Sequence, residues 1–255
     1  MSRARDGRRA VVGHYGGPMS DTVSALLRRR ALTAGAEPLL TWYQPSTGAR
    51  TELSAVTLLN WVDKTSHLLD ELDVTPGDVV ALPLAEAAPG HWVTAVWQLA
   101  CWQVGAEVGV GGDPGDAALV VTGPDWQPAA AAGVDVVACS LHPLGLPFGT
   151  PLPTPVLDYS LEVRGQSDVY PAVRQPADGP AWSDAERRLS QAGLVDAGAA
   201  AGPAGRRLVR PTGPFATALA AVLRPLVAGG SSVVVDGPAE PATLDRLAQE
   251  ERAEA

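Results

Sequence analysis

Four short, predominantly apolar runs govern what this chain can become: residues 79–84, 106–110, 119–122 and 134–138. A half-exposed strand alternates apolar and polar residues, whereas a parallel strand covered on both faces reads as a continuous apolar run. A stretch of helical length, 89–104, separates the first two runs, and an amphipathic stretch, 54–72, precedes them. Strand, helix, strand in this order is the pattern of an α/β layer. The chain has 255 residues, 46% of them hydrophobic and 18% charged, so it is long and apolar enough for one large domain or two small ones with a real core. It is not a disordered tail. Its two cysteines cannot form a disulfide scaffold.

The remaining elements follow from local signals. Residues 21–34 read as a helix and 39–43 as a strand. The Pro45–Gly48 turn leads into a hairpin strand at 49–53. Ser54 suits a helix N-cap, and Leu58, Trp61, Val62, Leu69 and Leu72 share one face of the helix that follows. Pro89 suits the first position of the next helix, which Gly105 ends. Residues 139–180 are proline-rich, and only 156–163 resembles a strand. Ser183-Asp-Ala-Glu186 has the form of a capping box before a helix at 184–200. A strand at 207–210, an apolar helix at 215–227, a strand at 231–235 and a helix from 243 complete the reading. The expected organisation is a basic leader at 1–19, disordered or upstream of the true start at Met19. A first α/β segment follows at 20–138, then a connector at 139–181 and a second α/β segment at 182–255.

Charge and ends exclude several roles. The 19 basic residues against 28 acidic ones give −9, which argues against a nucleic-acid partner. No stretch reads as a membrane span, since Gln98, Gln103 and Glu107 break one apolar window and Arg224 and Pro225 another. Without an export signal the expected compartment is the cytoplasm, with Cys101 and Cys139 reduced and buried. Lys64 is the only lysine. A mechanism that needs two lysines is excluded within this chain.

The order of motifs resembles the N-terminal part of adenylate-forming enzymes, the superfamily of acyl-CoA synthetases and peptide-synthetase adenylation domains. The resemblance rests on Leu53-Ser54 opening a helix, on Leu72-Asp-Val-Thr-Pro-Gly-Asp-Val-Val-Ala-Leu82, and on the helix at 92–105 with its following strand. Ala118-Leu-Val-Val-Thr122 and Leu223-Arg-Pro-Leu-Val-Ala-Gly-Gly-Ser-Ser-Val-Val-Val235 extend it across 20–255. It implies an α/β fold of layered parallel and mixed sheets flanked by helices. The chain also resembles short actinobacterial relatives that lack the phosphate loop and the C-terminal lid. In the family, a Ser/Thr/Gly-rich loop with a lysine grips phosphate between the connector and the next helix. Here that place reads Ala177-Asp-Gly-Pro-Ala-Trp-Ser-Asp-Ala-Glu186, with no lysine, and Asp178 and Asp184 would repel phosphate. The family's magnesium-contacting motifs and lid lysine have no counterpart in the sequence, and Lys64 sits on the early scaffold helix.

Other constellations are weaker. The segment Gly109-Val-Gly-Gly-Asp-Pro-Gly-Asp116 fails the dinucleotide fingerprint at Pro114 and reads as a turn; Asp113 and Asp116 alone are a poor metal site. His14, His67, His91 and His142 lack ligand spacing, and His91 reads as packed at a helix start. Gly229-Gly-Ser-Ser232 precedes a strand, whereas a nucleophile elbow follows one. Trp92, Trp97 and Trp102 do not share a helix face, which requires either a multilayer interior or an exposed patch. No catalytic, cofactor-binding or metal-binding residue is therefore nominated, and no cofactor is expected. The expected role is non-catalytic, through a protein partner, self-association or a small ligand. The alternatives are a ligase component completed by a second chain and a scaffold domain.

Overall fold

The computed structural model describes residues 21–131 and 133–254. The expected leader at 1–19, and His14 with it, lie outside the described residues. The first element of the described residues is α1 (Val23–Ala34), capped by Thr22. A hairpin follows, β1 (Pro38–Gln44) and β2 (Ala49–Ser54), and then α2 (Ala55–Glu71). The Ser54 hydroxyl accepts from the Thr57 N–H and caps α2, as its position predicts.

Next come β3 (Val79–Ala81), the one-turn α3 (Pro83–Ala87), α4 (Trp92–Val104), β4 (Glu107–Gly109), β5 (Leu119–Thr122), α5 (Gln127–Ala131) and β6 (Val136–Ala138). The expected strand at 79–84 is shorter because Pro83 occupies the first turn of α3. The expected helix at 89–104 starts later. Its cap is His91, whose Nδ1 accepts from the Val93 N–H, and Gly105 ends it in the left-handed region.

Before β8, the connector holds β7 (Leu157–Asp158), α6 (Tyr159–Glu162) and a 3₁₀ turn at Val163–Gly165. Asp158 caps α6 through the Ser160 N–H, so the expected strand at 156–163 turns helical halfway. The capping box at Ser183 is a misreading. Residues 180–183 and 188–190 form an antiparallel hairpin, β8 (Pro180–Ser183) and β9 (Arg188–Ser190). The helix, α7 (Gln191–Ala200), is capped by Ser190. Strand pairing overrides the local cap pattern there.

The last part contains β10 (Arg206–Val209), α8 (Pro214–Ala218), a π turn (Leu219–Leu223), α9 (Arg224–Ala228), β11 (Ser231–Val235) and α10 (Pro241–Glu250). The expected helix at 215–227 is thus interrupted. Pro225 has no N–H to donate and crowds the preceding turn, and the wider turn lies directly before it.

Two sheets result. One has the order β10-β11-β1-β2 and the other β7-β6-β5-β3-β4-β8-β9; β2 and β9 are the antiparallel members. Every residue of α4 is buried, and Trp92, Trp97 and Trp102 are each at most 1% exposed. The interior of a layered fold, rather than a surface patch, absorbs these rings. Replacing such a tryptophan with alanine costs about 3–5 kcal/mol. Beside this core, Arg28 donates to Asp63, Gln103 and the Tyr170 carbonyl, while Gln103 donates to Asp63 and Ser66. This network satisfies the buried Asp63 carboxylate. Among the described residues no helix is long and apolar enough to cross a membrane.

Candidate functional site

In open α/β sheets, ligands favour the crevice beyond the carboxyl ends of the strands. Here that crevice lies among the loop after β4, the β8–β9 turn and the start of α8. A cavity of about 360 Å³ is lined there by Glu86, Gly111, Asp184, Arg187, Gly213 and Phe215, among others. Beside it runs a groove of about 290 Å³ along the sheet face that carries Val79, Ala81, Glu107 and Gly109. The groove exists because the connection from β4 to β5 contains only a single 3₁₀ turn, Pro114–Asp116. A parallel crossover ordinarily brings a helix that covers the sheet.

The β8–β9 turn is the place where the resemblance locates a phosphate loop. Backbone N–H groups do converge there, but on the chain's own carboxylate. Asp184 Oδ1 accepts from the N–H groups of Glu186 and Arg187, both at 2.9 Å, and Oδ2 accepts from Trp182 Nε1 at 2.8 Å. The Arg187 guanidinium lies 3.3 Å from Asp184 and packs over the Phe215 ring at 4.6 Å. Phe215 meets Trp182 edge-on. Burial works against the Asp184 charge, but the indole, the two N–H groups and Arg187 outweigh it and hold the carboxyl below its ordinary range. The donors that would grip an anion are occupied internally. Glu86, Glu107, Asp113, Asp116 and Glu186 add further negative charge around them, against Arg187 and Arg188.

In the sequence Glu107 stood out only as a break in an apolar window, not as a site residue. It is 8% exposed, its Oε1 has no hydrogen bond among the described residues, and exposed Arg188 stands 4.0 Å away. A glutamate inside an apolar strand run was the available signal.

The other singled-out residues are dispersed. Asp113 caps its own turn through the Gly115 N–H, and both Asp113 and Asp116 line the groove. Among the described residues, no group of three or more His, Cys, Asp or Glu side chains is placed to hold a metal ion. His67 contacts the Val169 carbonyl, and His142 Nδ1 accepts from the Leu144 N–H. His91 is 3% exposed against Trp42 and Trp92, and burial pushes its pKa down to about 4. Ser232 donates to the Ala221 carbonyl and is fully buried, so it is no nucleophile elbow. Cys101 and Cys139 are free and buried; burial pushes the Cys101 thiol up to about 12 and Cys139 in the same direction. Lys64 lies on α2, away from the β8–β9 turn, and donates to the Gln166 carbonyl. Asp178 is exposed in the turn before β8.

No family model matches the sequence. Among curated proteins, a TIGR03089 family protein of Mycobacterium tuberculosis is 34% identical over 215 residues, covering 82% of this chain and 86% of that protein. Among solved structures, an acyl-CoA synthetase of Brucella canis superimposes with a TM-score of 0.72 at 17% identity, over 94% of this chain and 47% of that one. The N-terminal domain of FACL13 from Mycobacterium tuberculosis superimposes with a TM-score of 0.64 at 16% identity, over 91% and 61%. At these identities the structural likeness is one of fold. The chain spans about half the length of the Brucella enzyme.

Proposed function

The chain belongs to the TIGR03089 family and has the fold of acyl-CoA synthetase N-terminal domains, and from that premise we propose that it is a binding protein that does not form acyl adenylates. One observation carries this reading: the Asp184 carboxylate already occupies the donors of the β8–β9 turn. Adenylate formation needs those donors, or equivalents, on the transferring phosphates. An anion arriving there would have to displace a carboxylate held by three hydrogen bonds and a guanidinium. Carboxylate-dependent exchange of radioactive pyrophosphate into ATP tests the reading. The expected rate is that of the buffer blank; exchange that scales with protein and with an added fatty acid would refute it.

A second reading, assembly with another chain, is favoured by the open groove over β3 and β4 with the unbonded Glu107 oxygen. Light scattering tests its self-associating form. A dimer whose formation is lost in Glu107→Ala would support it, and a monomer at high concentration would count against it.

A further inference from the structure

The geometry points to a ligand site that shares no residue with the crevice at the β8–β9 turn: a pocket between α2 and the connector that takes a small organic anion with an apolar body. Thr57, Asn60, Trp61 and Lys64 fall at i, i+3, i+4 and i+7 and form one stripe of α2. Leu144 and Arg164, from the connector, close a pocket of about 330 Å³ over that stripe. Two of its six lining residues are cations and none is an acid.

The cations are met only by neutral groups. Lys64 Nζ donates to the Gln166 carbonyl at 2.6 Å, and Arg164 donates to the Gly145 carbonyl at 3.2 Å. Neither forms an ion pair with an acid among the described residues. An ammonium has three donors and a guanidinium five, so both keep donors for a ligand. Two cations converging without a counter-ion, in a chain of charge −9, form a local positive site. The apolar half comes from the Trp61 indole and from Leu144, which stands 69% exposed at the rim.

The wall is held before any ligand arrives. The Pro143 carbonyl accepts from Thr51 Oγ1 at 2.7 Å and from Trp92 Nε1 at 3.1 Å. Gly145 has φ +63°, and a Cβ there would lie 3.1 Å from Trp61 and 3.3 Å from Trp92, so glycine lets the wall close on the rings. Charged head, polar sides and aromatic floor together suit a sulfonate or carboxylate on an aromatic or alkyl body.

This site gives the binding-protein reading its ligand class, and its test is independent of the nucleotide question. The full chain is titrated with 8-anilinonaphthalene-1-sulfonate, read by dye fluorescence, at low and high salt. The expected result is one saturable site, weakened by salt. Lys64→Gln and Arg164→Gln should each weaken the Kd by about tenfold, the scale of one lost ion pair, while Lys64→Arg binds within about threefold of the unaltered chain. Uncharged N-phenyl-1-naphthylamine should show no dependence on either substitution. Circular dichroism and urea midpoints establish that the variants fold. A flat titration of the unaltered chain, or equal sulfonate affinity in the folded Lys64→Gln/Arg164→Gln double variant, overturns the proposal. Neither result bears on pyrophosphate exchange, because neither residue touches the β8–β9 turn.

Discussion

At the tip of the β8–β9 hairpin, two backbone N–H groups, an indole N–H and a guanidinium meet on one internal carboxylate. At the α2 pocket, an ammonium and a guanidinium meet only backbone carbonyls. The first place is where the resemblance expects ligand chemistry, yet its donors are satisfied within the chain. The second lies on a helix stripe that reads as scaffold, yet its charge is left for something else to balance. The contrast teaches that the position of a site in a fold says less than its donor and acceptor balance. A saturated cluster stabilises; an unsaturated one binds.

Acid should separate the two regions most strongly. His91 caps α4 beside Trp92, whose indole holds the pocket wall at Pro143. Its folded pKa of about 4 lies below the ordinary 6.5, so between those values the unfolded chain binds a proton that the folded chain does not. Stability is then complete above about pH 6.5 and falls as the pH drops towards 4, by about 3 kcal/mol. The hairpin should resist the same change, because the Asp184 carboxyl is held below its ordinary value. Urea midpoints of the unaltered chain and His91→Asn, compared at pH 7 and pH 4.5, check this. The variant should lose most of the pH dependence; an unchanged slope would exclude His91 as its source.

Removing the internal anion comes next. Asp184→Ala leaves Trp182 Nε1 and two N–H groups without their acceptor and Arg187 with Glu186 alone, and should cost about 2–3 kcal/mol by urea denaturation. Asp184→Asn keeps an acceptor and should cost about half of that. Gly145→Ala should cost about 1–2 kcal/mol, since it combines a left-handed backbone with a close approach to Trp61 and Trp92, and it should loosen the pocket wall as well. Smallest of all, Arg164→Gln should change stability by under about 0.5 kcal/mol while weakening sulfonate binding.

The layered α/β architecture was legible because β3, β5 and β6 are apolar runs and α2 carries an amphipathic stripe with Ser54 at its cap. The hairpin was not, because Ser183 and Glu186 imitate a cap locally and only the pairing of β8 with β9 overrides them. Short-range rules likewise gave α4 too early a start, at Pro89 rather than at Trp92 after the His91 cap. The Arg28, Asp63 and Gln103 network was out of reach, since its partners lie 35 and 75 residues from Arg28. At the hairpin the sequence showed that the lysine was missing; it did not show that Asp184 would fill the place. In the pocket the α2 half was present in the spacing, but Leu144 and Arg164 arrive from a proline-rich connector with almost no periodicity.

A β8–β9 turn that carries its own anion at Asp184 should not take a nucleotide. Calorimetric titration of the full chain with ATP, with and without Mg²⁺, tests it most directly. No saturable heat is expected under either condition. Saturable, Mg²⁺-dependent binding that Arg187→Gln abolishes, with the variant still folded, would contradict it.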